Sequence, residues 1–397
     1  MKILVVCQHY YPENFVVYKI AESLVSFGHS VTVLTGKPNY GYDHILPEYK
    51  KVKVQTINGV TVHRVKIYPR KESKFARSMN YLSFYRNSKK WVRRCKEKFD
   101  VVYSMSISPV LILAAGNLYK KRFHVPHIVH CVDLWPESVL ATDAINEKSV
   151  LYRVLYKWSR KLYSKADTIL LGSPSFKRYF IDVLHISDID MKFVPQPSLV
   201  QSVEVEPFIF DNNYFNILYC GNLGLLQNIE LIPEAMKLIK NEKIKFHIIG
   251  MGPMQGKLKS LIEKYDLKDN LIYYGPKSAA MSAPYFLGCD ALYVSLKNKG
   301  YIGSTIPNKL VMSLAFSKPI IGVVSGDGAN VLNEANGSLF AEENPLSISH
   351  AFKAAAHLEK DKLIQMGKNN KVYFDKNFDL TKICRGIEAI LANYLRK

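Results

Sequence analysis

Residues 196–221, QPSLVQSVEVEPFIFDNNYFNILYCG, decide how the chain is partitioned. Pro197, Ser198, Ser202 and Pro207 are the residue types of a connection, and FNILYCG (215–221) is then an apolar run of the kind that opens a buried strand. That run repeats what KILVVC does at the start of the chain. Working outward on the N-terminal side, KILVVC, SVTVLT, VTVHRVKI, DVVYSM, HIVHCV, TILLGS and MKFVPQP read as strands, with helical patterns near 18–27, 110–121 and 150–164. On the C-terminal side, FNILYCG, KFHIIGMG, NLIYYG, DALYVSL and PIIGVVS alternate with helices near 231–240, 254–265 and 309–316. Strand-helix alternation on both sides predicts α/β architecture: two Rossmann-like, doubly wound parallel-sheet domains facing across a cleft. The expected division is a first domain over 1–195, a linker over 196–208, a second domain over 209–375 and a closing helical segment, 376–397, crossing back toward the first domain. A chain of 397 residues with 48% hydrophobic residues is long and apolar enough for two such cores.

No apolar run approaches the roughly 18 to 20 residues that span a bilayer, and the N-terminal run breaks after about six apolar residues, so it reads as a strand rather than a signal peptide. The six scattered cysteines include no CxxC and read as reduced, mostly buried thiols, which with the N-terminal strand points to a cytoplasmic protein. A net charge of +20 implies a polyanionic partner. Much of the excess is local: residues 70–98 carry eleven Lys or Arg against two Glu. On a helical wheel Arg86, Lys89, Lys90 and Arg93 share one face, and Tyr81, Tyr85, Val92, Cys95 and Phe99 the opposite one. Such a helix suits an anionic membrane surface better than nucleic acid, for which no binding module is present. The competing reading is a surface helix packed on its own domain with solvated cations.

Ligands of stacked α/β domains bind at the carboxyl ends of the strands, so the loops that follow strands are the ones to read. GNLGLLQ (221–227) offers Gly221, Asn222, Gly224 and Gln227, and GMGPMQG (250–256) offers Gly250 and Gly252, glycines that let a phosphate approach main-chain N–H groups. The spacing G-x-G-x-x-x-G is one residue off the dinucleotide fingerprint, which argues against an oxidoreductase. YGPKS (274–278) adds Lys277. The window 291–326 holds four lysines and no Asp or Glu. Within it Ser304, Thr305 and Asn308 are capping types at a helix start opened by Pro307, and Lys309 falls in the first turn, at the wrong end of the helix dipole unless an anion lies there. Solvent-reaching lysines on a buried strand, loop and helix are the plainer alternative, and the anion site is the expectation carried forward.

Eight motifs in this order resemble one known family across essentially the whole chain: YYPENF (10–15), GHSVTVLTGKPNY (28–40), MNYLSF (79–84), FDVVYSMSISPV (99–110), VDLWPES (132–138), GNLGLLQN (221–228), IIGMGP (248–253) and IPNKLVMSLAFSKPII (306–321). The chain resembles the retaining family-4 glycosyltransferases of the GT-B fold, in the branch that builds bacterial O-antigen and capsule repeat units. That resemblance implies transfer of a sugar from a nucleotide sugar, with retention, to a lipid-linked saccharide of the undecaprenyl-diphosphate type, by an enzyme bound peripherally to the inner face of the cell membrane. It also implies that no metal or other cofactor is needed, because basic residues and helix dipoles stabilise the leaving diphosphate. By the same resemblance Asp133 faces sugar and acceptor as a catalytic residue, with an N-cap or buried-network carboxylate as its alternative. Glu13, Asn14 and Glu137 lie on the acceptor side.

The departures from the family are specific. Its two glutamates eight residues apart are replaced by Ser304 and Met312, and the Arg and Lys usual after the first strand of the second domain are absent. Pyrophosphate charge then falls to Lys309, helped by Lys297 or Lys299, and ribose recognition to Glu334 in NEANG. Because glutamates are lost, a catalytically degenerate nucleotide-sugar-binding protein is an alternative, and a nucleotide-sugar epimerase is a second, though an epimerase would need neither the basic helix nor VDLWPES.

Overall fold

The computed structural model describes all residues except 72, 108, 142–144, 199–204 and 396–397, so part of the expected linker lies outside the described residues. The chain divides into two compact units, one formed by 1–197 with 380–397 and the other by 198–379.

In the first unit eight strands form one sheet: β1 (Lys2–Val6), β2 (Ser30–Gly36), β3 (Val54–Ile57), β4 (Val60–Val65), β5 (Val101–Ser106), β6 (His127–Cys131), β7 (Thr168–Leu171) and β8 (Asp190–Phe193), in the order β3-β4-β2-β1-β5-β6-β7-β8. Every pairing is parallel except β3 with β4, a hairpin closed by Asn58-Gly59, both at positive φ, the requirement of a tight two-residue turn. The central strands are buried on both faces, which is why they read as largely apolar runs. The helices used below are α1 (Val17–Ser26), α2 (Lys74–Arg94), α3 (Leu113–Phe123), α4 (Glu137–Leu140) and α5 (Val150–Tyr163). Right-handed crossovers put α2, α3 and α5, which all step in the same direction across the sheet, on one face, and α2 packs on α3 and α3 on α5.

The second unit holds β9 (Phe215–Cys220), β10 (Ile244–Ile249), β11 (Leu271–Tyr273), β12 (Ala291–Ser295), β13 (Ile320–Val323) and β14 (Ser338–Phe340), all parallel, in the order β11-β10-β9-β12-β13-β14. Its helices are α6 (Leu231–Leu238), α7 (Gln255–Lys264), α8 (Ala279–Gly288), α9 (Asn308–Leu314), α10 (Gly326–Ala335), α11 (Pro345–Ala356) and α12 (Lys360–Asn377). One core joins α6, α7 and α11 to the sheet through Ile232, Met236, Leu258 and Phe352; the other joins α8, α9, α10 and α12 through Phe286, Leu310, Leu332 and Phe374. The strand order reverses at β9, so the loops after β9, β10 and β12 converge at a topological switch point. The last helix, α13 (Leu380–Ala392), belongs to the first unit, where it packs on α1 and Glu388 meets His29 at 2.7 Å.

Candidate functional site

Lys309 stands at the switch point of the second unit, in the first turn of α9. Its Nζ donates to the Tyr219 hydroxyl and, at 2.9 Å, to the Asn222 carbonyl, and lies 4.6 Å from the centre of the Tyr219 ring. No carboxylate among the described residues pairs with it. Loss of water around the ammonium brings its pKa down to about 7, against an opposing effect of Cys220. This is a cation held by dipoles and an aromatic face alone, an arrangement that an incoming dianion would stabilise.

The glycines around it have steric roles. A Cβ on Gly221, at φ +151°, would fall 2.5 Å from Lys309 Cε, so glycine is what lets the lysine lie along the β9 loop. Gly250 and Gly252, at φ +149° and +157°, bring the β10 loop onto the main chain of Gly221 and Leu223. Gly252 thereby abuts Asn222, whereas Gly256 sits in α7 with nothing close. Gly224 faces the amides of Asn222 and Gln227, and the buried Gln227 Oε1 has no partner.

The rest of the donor-side set is partly redistributed. Ser304, Thr305 and Asn308 do not cap α9: Pro307 is the N-cap, Thr305 gives its hydroxyl to the Ile302 carbonyl at 2.9 Å, and the helix is seven residues long. Lys297 is committed to Glu230 at 2.8 Å and does not assist Lys309. Lys277 rests over Tyr274 and Tyr285, at 5.9 and 5.2 Å from their centres, at the end of edge strand β11. Glu334 is a correction. It lies in the last turn of α10, about 12 Å along the helix from Gly326, and accepts from the Tyr373 hydroxyl at 2.8 Å, at the amino ends of the strands. At the carboxyl end of β14, the edge of the sheet opposite β11, Glu342 and Glu343 line a cavity of about 550 Å³ with Asn298 and Ser325. Glu343 accepts the Asn298 N–H at 2.9 Å. Sequence reading missed both because a three-residue strand leaves little signal.

In the first unit, Asp133 lies two residues past β6, partly exposed, and its carbonyl accepts from Cys131 Sγ at 3.4 Å. Asn14 is exposed in the loop after β1, and Glu137 is buried in α4, accepting from the Tyr152 hydroxyl at 2.8 Å. Burial pushes the Glu137 pKa up against that hydrogen bond. His127 and His130, also buried, are strand-core histidines held neutral by desolvation, at about 3 and 4.

Glu13 is spent inside its own loop. It meets His9 at 3.0 Å and accepts the N–H groups of Asn39 and Tyr40 at 2.7 and 2.6 Å, clamping the loop after β1 to that after β2. Desolvation pushes its pKa up, but the hydrogen bond and charge of His9 and the two amides win, and the net shift is downward. A depressed folded-state pKa contributes stability above the unfolded value, about 4.3, that is lost as pH falls through the folded value. Glu13→Ala, which orphans two amides, is expected to lower stability by about 3 kcal/mol in urea unfolding at pH 7, and by progressively less below about pH 4.

The basic helix also departs from its wheel. The buried stripe of α2 is Ala76, Asn80, Phe84, Ser88 and Val92, while Tyr81 and Tyr85 are only half-buried, Cys95 is the C-cap and Phe99 lies beyond. Arg86, Lys90 and Arg93 are exposed together, but Lys89 leans away from them, donating to the Tyr85 hydroxyl at 3.0 Å. Thus the helix is packed on its own unit and still presents a cationic outer face. Among the described residues no helix is long and apolar enough to cross a membrane, and no group of three His, Cys, Asp or Glu side chains could hold a metal ion.

Residues 14–197 match the family described as Glycosyl transferase 4-like domain, and residues 203–373 the family Glycosyl transferases group 1. A probable glycosyltransferase, WbjE, of Pseudomonas aeruginosa is 28% identical over 236 residues; the match spans 57% of this chain and only 57% of that relative's length. The putative colanic acid biosynthesis glycosyl transferase WcaI of Escherichia coli K12 is 22% identical over 342 residues, covering 79% of this chain and 81% of the relative. Among solved structures, Anabaena Alr3699/HepE in complex with UDP and glucose superposes with a TM-score of 0.70 at 13% identity, over 99% of this chain and 100% of that one.

Proposed function

The chain belongs to the glycosyltransferases of the GT-B fold, its first half to the 4-like domains and its second to group 1, and from that premise we propose that it moves a sugar from a nucleotide sugar to a lipid-linked saccharide in surface polysaccharide synthesis. The reading is supported by the relative named a putative colanic acid biosynthesis glycosyl transferase and by the neighbour solved with UDP and glucose. One observation carries it: Lys309, a desolvated ammonium with no carboxylate partner among the described residues, at the switch point of the second sheet, where a diphosphate would find a cation beside the glycine-rich loops after β9 and β10. In this reading the donor diphosphate lies against Gly221, Asn222, Gly250 and Gly252. Lys309 takes up the charge of the departing nucleoside diphosphate without a metal, and the anomeric configuration is retained. Asp133 positions the acceptor or sugar from the first unit. The enzyme works at the inner membrane face, held there by anionic lipid.

Incubating the protein with a panel of UDP-, GDP- and dTDP-sugars is the direct test. Slow release of free sugar from one donor, and faster transfer with an undecaprenyl-diphosphate saccharide, are expected, with the anomeric signal of the product retained by NMR. Interconversion of the donor sugars would instead mark an epimerase, and binding without turnover a degenerate protein.

For Asp133, substitution by Asn is expected to lower kcat roughly tenfold or more, the worth of one charge-assisted hydrogen bond, with nucleotide affinity unchanged because the nucleotide is assigned to the other unit. A parallel loss of nucleotide affinity and of melting temperature would show a structural carboxylate.

A further inference from the structure

The helices α2, α3 and α5, side by side on one face of the first sheet, contain fourteen Lys or Arg and no Asp or Glu. Between them opens a cavity of about 550 Å³ into which five lysines converge: Lys89 from α2, Lys120 and Lys121 from α3, Lys161 from α5 and Lys165 just beyond it. Lys120 is compensated, by Asp167 at 2.8 Å and the Lys165 carbonyl at 3.0 Å, and Lys89 has the Tyr85 hydroxyl. Lys121, Lys161 and Lys165 are exposed and pair with no carboxylate among the described residues. Between them the lining is mostly apolar, from Ala114, Leu118 and Leu162, with Tyr85 and Asn117 beside them. Helices that return from a parallel strand run back toward its amino end, so the lysines of this cavity, toward the C-terminal ends of α3 and α5, lie away from the strand ends that carry Asp133, and this is not the sugar-transfer site.

Three cations on apolar walls select an anion attached to a hydrocarbon body rather than a free, fully hydrated one. The surface beside the cavity has the same double character. Along α5, Val150 is 75% exposed, Leu151 53% and Trp158 41%, among Arg153, Lys157 and Arg160. Exposed aliphatic side chains and a Trp among cations are what a helix lying in a headgroup layer presents. We propose that the α2–α3–α5 cavity binds the phosphate headgroup of an anionic membrane phospholipid, with the outer face of α5 entering the layer beside it. This rests on the membrane docking proposed above and gives it a discrete headgroup site in place of a diffuse charged face.

Monomeric dihexanoylphosphatidylglycerol, kept below its micelle concentration, is the probe, read by Trp fluorescence and by thermal shift on the full chain. Saturable binding is expected, weakened at least tenfold in Lys121→Gln/Lys161→Gln/Lys165→Gln, whose positions are exposed and whose folding is checked by melting temperature. The triple variant Arg86→Gln/Lys90→Gln/Arg93→Gln should bind the monomer within twofold of the unaltered protein. Equal binding of the probe by the cavity variant overturns the site. Inorganic phosphate that binds as tightly as the lipid and displaces it overturns the lipid assignment. Saturable monomer binding without sedimentation on phosphatidylglycerol vesicles would leave the cavity standing and remove the docking reading, whereas sedimentation without saturable monomer binding would do the reverse.

Discussion

Replacing Lys309 by alanine is expected to lower kcat about 10²- to 10³-fold, the usual loss when a principal stabiliser of developing transition-state charge is removed from a partly dehydrated site. Lys297 and Lys277 are poorly placed to take over, because Lys297 is paired with Glu230 and Lys277 rests on the tyrosines of edge strand β11. The fold should tolerate the change, since the lysine gives up only two neutral acceptors, Tyr219 and Asn222. Its titration supplies a second readout. In the free protein the ammonium loses its proton near pH 7, and only the protonated form attracts a diphosphate. Affinity for the nucleoside diphosphate released in the donor assay should therefore be flat below pH 7 and fall by up to tenfold per unit above it, as binding comes to require proton uptake. The slope should vanish in Lys309→Ala. The sign for stability is opposite: the folded state holds fewer protons than the unfolded one between about 7 and 10.4, so without ligand the unfolding free energy rises with pH across that window. Near-normal kcat in the variant, or affinity independent of pH, would remove Lys309 from the diphosphate.

Most of the strand framework was legible because parallel strands covered on both faces are plain apolar runs, and the restart at FNILYCG gave the two-sheet architecture. What escaped was half-exposed or short. β3 alternates exposed and half-buried residues in a hairpin at the sheet edge, and β14 has three residues. Without β14, the end of α10 could not be placed, and Glu334 was read as a ligand when it faces Tyr373 at the wrong end of the sheet. The buried stripe of α2 was concealed by residue type, since Asn80 and Ser88 look polar. Asn80 is in fact tied to Gln8 and Asn39 at 2.6 and 3.0 Å, and Ser88 to its own helix carbonyl at Phe84. The Glu13 clamp was equally invisible, because its amide partners lie 26 and 27 residues away in a different loop. Lys309 was legible for the opposite reason: a lysine in the first turn of a helix, within a window that excludes carboxylates, is a local anomaly.

Reversing Arg86, Lys90 and Arg93 to Glu is expected to reduce partitioning onto phosphatidylglycerol vesicles about 10²-fold or more. Each cation near an acidic bilayer contributes roughly 1 kcal/mol, so three removed charges account for about 10², and three introduced carboxylates add repulsion. These side chains are exposed on α2, and the stripe that packs the helix, Ala76 to Val92, is untouched. Folding should persist, and so should activity on a short water-soluble acceptor, because the donor contacts assigned to Lys309 lie in the other unit. Raising salt from 0.1 to 0.5 M should weaken vesicle binding of the unaltered protein in the same direction, as the screening length contracts below the reach of the outer cations. Lys89 is left in place because it leans on Tyr85 into the headgroup cavity, which keeps the two contributions separable: the outer-face variant loses vesicles and keeps the monomeric lipid. Vesicle binding that survives both the reversal and high salt would assign the membrane contact to the apolar face of α5 alone and leave the cations of α2 as a solvated surface.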